Sequence, residues 1–170
     1  MKADSSMLLI GIGTAGCSIA RGIGRAFGED LRCLFVDTDA ASGGAGDDFL
    51  LIGVIGERLD HTLANLSILQ HLDAAGKTAC IVDDWSEMRI ISRGEAEVRD
   101  DCAYFSLLAV GGPAKGIRIT GAKYPLEDGT ITGEFQYGVS NEVLPGQTAR
   151  ISLREGRLLL VKVFRDEFPS

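Results

Sequence analysis

The stretch "HTLANLSILQHLDAAGKTACIVDD", His61 to Asp84, contains the change of pattern on which the fold turns. Leu63, Leu66 and Leu69 fall at helical spacing and Gly76 follows as a stop, which predicts a helix that buries those leucines. From Lys77 onward the helical period vanishes. "TACIVDD", "EMRIISRG", "AEVRDD", "AYFSLLAV", "GIRITG", "TARISLREG" and "RLLLVKVF" are short runs, several alternating, separated by "DDW", "RG", "GGP", "EDG" and "PG" turns. Residues 77–170 are therefore expected to form an antiparallel β-sandwich, and a domain boundary is expected near residue 76.

Toward the amino terminus the pattern alternates between element types. "MLLIGIG" (Met7 to Gly13) is a continuous apolar run ending in Gly, as a strand buried on both faces requires. "CSIARGIGRAFG" places Ile19, Ile23 and Phe27 at helical spacing before Gly28. "LRCLFVDTD" reads as a second strand, "SGGAGDD" as a loop and "FLLIGVIG" as a third strand. Strand, helix, strand, loop, strand, helix predicts a parallel sheet with right-handed crossovers. The expected fold class is thus α/β plus all-β: a small parallel Rossmann-like unit over 1–76, then the sandwich.

Composition removes several function classes. The 170 residues carry a net charge of −7, which disfavours general binding to nucleic acid or an anionic membrane. No apolar run approaches the length of a membrane span and no signal peptide is evident. Cys17, Cys33, Cys80 and Cys102 form no C-x-x-C pair and only two histidines are present, so neither a zinc framework nor a His-rich site follows. Reduced thiols in a cytoplasmic protein are expected.

Three clusters could carry chemistry. Gly11, Gly13 and Gly16 make a G-x-G-x-x-G between strand and helix, where bare backbone and free N–H groups could hold a phosphate; tight turn packing is the alternative. Asp37 lies 21 residues beyond Gly16, near the offset at which a dinucleotide fold places an acid. Asp37 and Asp39 together could hold Mg²⁺ beside phosphates, or one of them could cap the next element. In "GERLDHTLANL" (Gly56 to Leu66), Arg58 offers a planar fork for phosphate, and Asp60 could ligate a metal or cap the helix. His61 and Asn65 are one helical turn apart and could face one ligand.

Two resemblances add to this reading. "LIGIGTAGCSIARGI" followed by "LFVDTDAAS", within residues 7–53, resembles the first strand, helix and second strand of bacterial tubulin-like cell-division GTPases. That family's later Gly-rich γ-phosphate loop is absent, so GTP hydrolysis and filament assembly are not implied. "GVIGERLDHTLANL" and "SLLAVGGPAKGIRITGAKYPLEDGTITGEFQYGVSNEV", within residues 49–163, resemble thiamine pyrophosphokinases (thiamine diphosphokinases) in their last α/β element and vitamin-binding domain.

The second resemblance implies a kinase-type transferase that moves diphosphate from ATP to thiamine with Mg²⁺. It implies that Tyr124 stacks on thiamine, that Ser140 and Asn141 bond the aminopyrimidine, and that Arg58 and Asp60 face ATP phosphates and Mg²⁺ with His61 and Asn65 beside them. Asp37 and Asp39 take the place of the family's Asp-x-Asp loop as catalytic metal ligands. It also implies a homodimer with thiamine at the interface. The chain departs from the family pattern before residue 49, where two further acidic segments are missing, and Glu57 replaces a glycine before Arg58. The rival expectation is a non-catalytic thiamine-binding or structural chimera with an anion site at the Gly-rich loop.

Overall fold

The computed structural model describes residues 7–12, 32–36, 48–56 and 58–164. Three strands come first: β1 (Met7–Ile12), β2 (Arg32–Val36) and β3 (Asp48–Ile52). Then follow α1 (Leu59–Ala74) and β4 (Thr78–Val82). β1 lies between β2 and β3, and β3 continues to β4, with every pairing parallel. The alternation in β3 and β4 buries Phe49, Leu51, Ala79 and Ile81. Burial of a side chain the size of Phe49, Leu51 or Ile81 contributes roughly 1.5–3 kcal/mol relative to exposure.

The chain divides into compact units at Asp83/Asp84, beyond the boundary expected near residue 76. The reason is β4. "TACIV", expected in the antiparallel half, pairs in parallel with β3 and so completes the first unit.

Helix α1 ends as its sequence dictates. Gly76 takes φ +75 and donates to the Asp73 carbonyl at 2.9 Å, while Lys77 N–H reaches the Leu72 carbonyl at 2.9 Å. This pair of bonds satisfies carbonyls that the last turn leaves open. Two expectations at the other end are corrected. Arg58, not Asp60, is the N-cap, and no side chain caps the helix. Of the three leucines, Leu69 is buried, but Leu63 is 59% exposed. Leu63 lies six residues before Leu69, about 120° from it around the axis, on a helix whose one buried residue is Leu69, so the spacing that suits a core stripe is only partly used.

The second unit is largely β. Its strands are β5 (Ser86–Ile91), β6 (Glu95–Arg99), β7 (Tyr104–Ala109), β8 (Ala114–Thr120), β9 (Leu126–Ile131), β10 (Gly138–Asn141), β11 (Thr148–Ser152) and β12 (Leu158–Val163). They run antiparallel in the orders β10-β7-β12-β5 and β6-β11-β8-β9. Phe105, Leu107, Leu158 and Leu160 from the first group share one core with Val98, Ile117, Ile131 and Ile151 from the second.

"EDG", expected to be a turn, lies inside β9. Asp128 accommodates it with φ +53, and the β8–β9 register shifts on either side of Ile117, a bulge that keeps the ladder running. Among the described residues, no helix is long and apolar enough to cross a membrane.

Candidate functional site: an apolar pocket beside Tyr124

The second unit contains a pocket of about 260 Å³ among the ends of β8, β9 and β10. Ile119, Leu126 and Ile131 give it an apolar floor, and Tyr124, Pro125, Tyr137 and Val139 rise around it. The turn between β8 and β9 is set by Gly121 at φ +70, where an added Cβ would lie 2.4 Å from the Thr148 carbonyl oxygen. That turn throws the Tyr124 side chain outward, and it is 59% exposed.

Asn141 fixes this geometry. It is 5% exposed, and its Oδ1 accepts from Tyr124 N–H at 3.0 Å and Glu142 N–H at 2.9 Å, while its Nδ2 donates to the Tyr124 carbonyl at 2.8 Å. Three of the four hydrogen-bonding positions of the carboxamide are thus spent on backbone. The residue expected to bond a ligand edge is above all the clamp that holds Tyr124.

Lys123 sits with its Nζ 5.6 Å from the Tyr124 ring centroid and 2.6 Å from Glu142 Oε1. The Glu142 carboxylate, by hydrogen bond and charge, raises the Lys123 pKa. One ring face of Tyr124 therefore has a cation near it. Ser140 adopts φ +54 where the β10–β7 register shifts, and its N–H donates to Ser106 Oγ at 3.0 Å. Ser140 is exposed, and the pocket lining runs through its neighbours Val139 and Asn141.

The polar cluster at the start of α1 belongs to the first unit. Arg58 and Asp60 form a two-point pair, Nε–Oδ1 3.2 Å and Nη2–Oδ2 2.6 Å, with both side chains exposed. That contact holds the Asp60 carboxyl below its usual range. His61 Nε2 lies 4.0 Å from the same carboxylate. Asn65 Nδ2 donates to the Val54 carbonyl at 2.7 Å, tying the loop after β3 to the helix. Arg58, Asp60 and His61 are brought together, whereas Asn65 turns its amide to backbone.

The remaining expected positions lie elsewhere. Gly11 sits within β1, level with Phe35 of β2 and Ile52 of β3. Gly13, Gly16, Asp37 and Asp39 lie outside the described residues, as does most of the segment that resembles tubulin-like GTPases. Among the described residues no three His, Cys, Asp or Glu side chains converge as a metal site. Asp60 alone, already paired with Arg58, is not a sufficient ligand set for Mg²⁺.

Sequence reasoning missed Gln136 and Tyr137. Gln136 exchanges two hydrogen bonds with the Ala109 backbone, and Tyr137 forms a pocket wall with Phe135 leaning on it at 5.4 Å. The aromatic–polar–aromatic triplet "FQY" beside "GVSN" was the available signal.

The pocket lies within a segment that is similar to a known vitamin-binding domain. Residues 90–158 match the family model "Thiamin pyrophosphokinase, vitamin B1 binding domain". The chain is also 25% identical over 118 residues to the thiamine pyrophosphokinase of Bacillus subtilis (strain 168), a match covering 68% of this chain and 55% of that protein. It thus spans about half the length of the curated relative it matches.

In fold, the crystal structure of thiamine pyrophosphokinase from Bacillus subtilis superposes with a TM-score of 0.76 at 17% identity, covering 94% of this chain and 100% of that one. The thiamin pyrophosphokinase of Geobacillus thermodenitrificans gives 0.64 at 25% identity, covering 88% and 73%. The yeast enzyme gives 0.56 at 21%, covering 68% and 40%. The resemblance to thiamine pyrophosphokinases is therefore shown in sequence for the β half and in fold for most of the chain.

Proposed function

We propose that this chain is a thiamine pyrophosphokinase-like protein that binds thiamine beside Tyr124 and transfers diphosphate from ATP to the thiamine hydroxyl. In that reaction the hydroxyl oxygen bonds to the β-phosphorus, the bond from the β-phosphorus to the α-phosphate oxygen breaks, and AMP leaves. The observation that carries the reading is the apolar pocket with a backbone-clamped Tyr124, set in the segment that matches the vitamin-binding model. A flat aminopyrimidine and a cationic thiazolium suit an aromatic-walled cavity.

In this proposal Tyr124 stacks on the vitamin, Ser140 and the free Nδ2 hydrogen of Asn141 bond its polar edge, and Arg58 meets the ATP phosphates with His61 and Asn65 near them. Asp37, Asp39 and Asp60 hold Mg²⁺, which supplies charge neutralisation along the polyphosphate. The Gly-rich segment that carries Gly11, Gly13 and Gly16 serves as the anion site. The architecture is a Rossmann-like α/β unit followed by a β-sandwich, working as a cytoplasmic homodimer. Exposed Leu59 and Leu63 in one unit and exposed Phe135, Tyr137 and Val139 in the other support association with a second copy.

A second reading, a thiamine-binding protein without transfer activity, is favoured by one contact: the Asp60 carboxylate is already neutralised by Arg58. Calorimetric titration of thiamine, followed by a transfer assay with Mg-ATP, tests both. Binding with transfer, abolished by Asp37→Asn and Asp39→Asn, supports the enzyme. Binding without transfer supports the second reading. No binding by a folded protein removes both.

A further inference from the structure

Gln136 lies where the β7–β10 ladder ought to continue. Gly138 pairs with Leu107 in antiparallel register, so two residues further along each strand Gln136 falls opposite Ala109. Backbone does not make that rung. The Gln136 side chain does: Oε1 accepts from Ala109 N–H at 2.8 Å and Nε2 donates to the Ala109 carbonyl at 3.0 Å. A carboxamide presents the same donor and acceptor as a peptide unit, so one side chain replaces one ladder step.

The substitution has a geometric result. A strand that pairs through a side chain stands farther from its neighbour than one that pairs through backbone, so the chain swings outward at residue 136. The flanking residues then project from the sheet, and Tyr137 becomes a pocket wall backed by Phe135, with both rings exposed. The far end of this loop is closed by Thr132 and Phe135, which exchange backbone bonds at 3.1 and 3.3 Å. Gly138 completes the arrangement, because a Cβ there would lie 2.6 Å from the Leu107 oxygen and 2.8 Å from Ile131 Cδ1. The chain is therefore pressed against β7 at Gly138 and held off it at Gln136.

We infer that Gln136 is a positioning residue for the vitamin pocket: its peptide-like clamp on Ala109 sets the Tyr137 wall against which the ligand packs. The inference rests on the thiamine reading of the pocket. The test uses the full chain and compares Gln136→Ala and Gln136→Glu with the parent, reading thiamine affinity by calorimetry and Ala109 amide exchange by NMR without ligand.

The Ala variant is expected to expose the Ala109 amide to rapid exchange and to weaken thiamine binding about tenfold. A Glu side chain keeps the acceptor but, when ionised, faces the Ala109 carbonyl with a carboxylate. Protonation restores the donor. The ratio of Glu-variant to parent dissociation constants should therefore fall toward one as pH drops through the carboxylate range, which a general loss of packing would not produce.

Parent-like affinity in Gln136→Ala, or an unprotected Ala109 amide in the parent, overturns the positioning role while leaving the pocket assignment intact. Absence of thiamine binding by the parent overturns the pocket assignment and this role with it. The exchange data then show separately whether the clamp itself forms.

Discussion

Asn141 holds both backbone polar groups of Tyr124, taking its N–H on Oδ1 at 3.0 Å and giving Nδ2 to its carbonyl at 2.8 Å. A buried side chain thereby decides where an exposed ring points. Asn141→Ala removes these bonds and the one from Glu142 N–H. Stability should fall by about 2–3 kcal/mol, read by urea unfolding, because buried backbone groups are left unpaired. Thiamine binding should fall with it. A variant as stable as the parent would show that water or a rearranged turn replaces the clamp.

Tyr124→Ala should separate binding from folding. The ring is mostly exposed, so the unfolding midpoint is expected to shift by little, while thiamine affinity drops at least tenfold. Tyr124→Phe keeps the ring and should retain most of the affinity. Calorimetry and thermal unfolding of the same samples decide the point, and equal affinity in the Ala variant would remove the stacking role.

Gly138→Ala should be costly at a position where the sequence gives little warning. The added methyl meets the Leu107 backbone oxygen, which cannot move without disturbing β7. A loss of about 1–3 kcal/mol is expected in chemical denaturation. Gly133→Ala, where an added Cβ meets nothing within 4 Å, is the control.

The Arg58–Asp60 pair predicts a titration rather than a stability effect. The Arg58 hydrogen bond depresses the Asp60 pKa in the folded state. A depressed carboxyl stabilises the fold above its unfolded pKa, and this contribution is lost as pH falls through the lower, folded value. Both side chains are exposed, so solvent and salt keep that contribution small. NMR titration of the Asp60 carboxyl should show a midpoint below the ordinary aspartate value in the parent and a rise toward it in Arg58→Ala. An unchanged midpoint would mean that the pair does not persist in solution.

Association is the last expectation. Sedimentation at micromolar protein should give a dimer, and Leu63→Asp, at an exposed position, should shift it toward monomer without unfolding the chain. A monomeric parent would count against the interface and against a vitamin site that depends on it.

Where a property is local, the sequence was sufficient. The end of α1 followed from Gly76, since only a residue tolerant of positive φ closes a helix in that way. The parallel elements before it and most of the short strands after it followed from hydrophobic period. "GVSNE" and "KYPL" marked the pocket by resemblance, and Tyr124 and Asn141 line it.

Tertiary structure decided what depends on partners distant in sequence. β4 joined the first unit because its neighbour is β3, which no period within "TACIV" can announce. "EDG" became part of a strand because β8 offered a bulged ladder to receive it. Gln136 gained a role because Ala109, 27 residues earlier, presents an open rung. Leu63 stayed exposed because helical spacing fixes where a side chain lies around the axis, not whether anything covers it. Periodicity and turn chemistry are properties of neighbouring residues, whereas pairing, burial and the direction of a side-chain amide depend on which distant segment arrives opposite. The sequence therefore determined the elements and named the pocket's anchors, and the assembled sheets alone determined the unit boundary and the residues that shape the pocket.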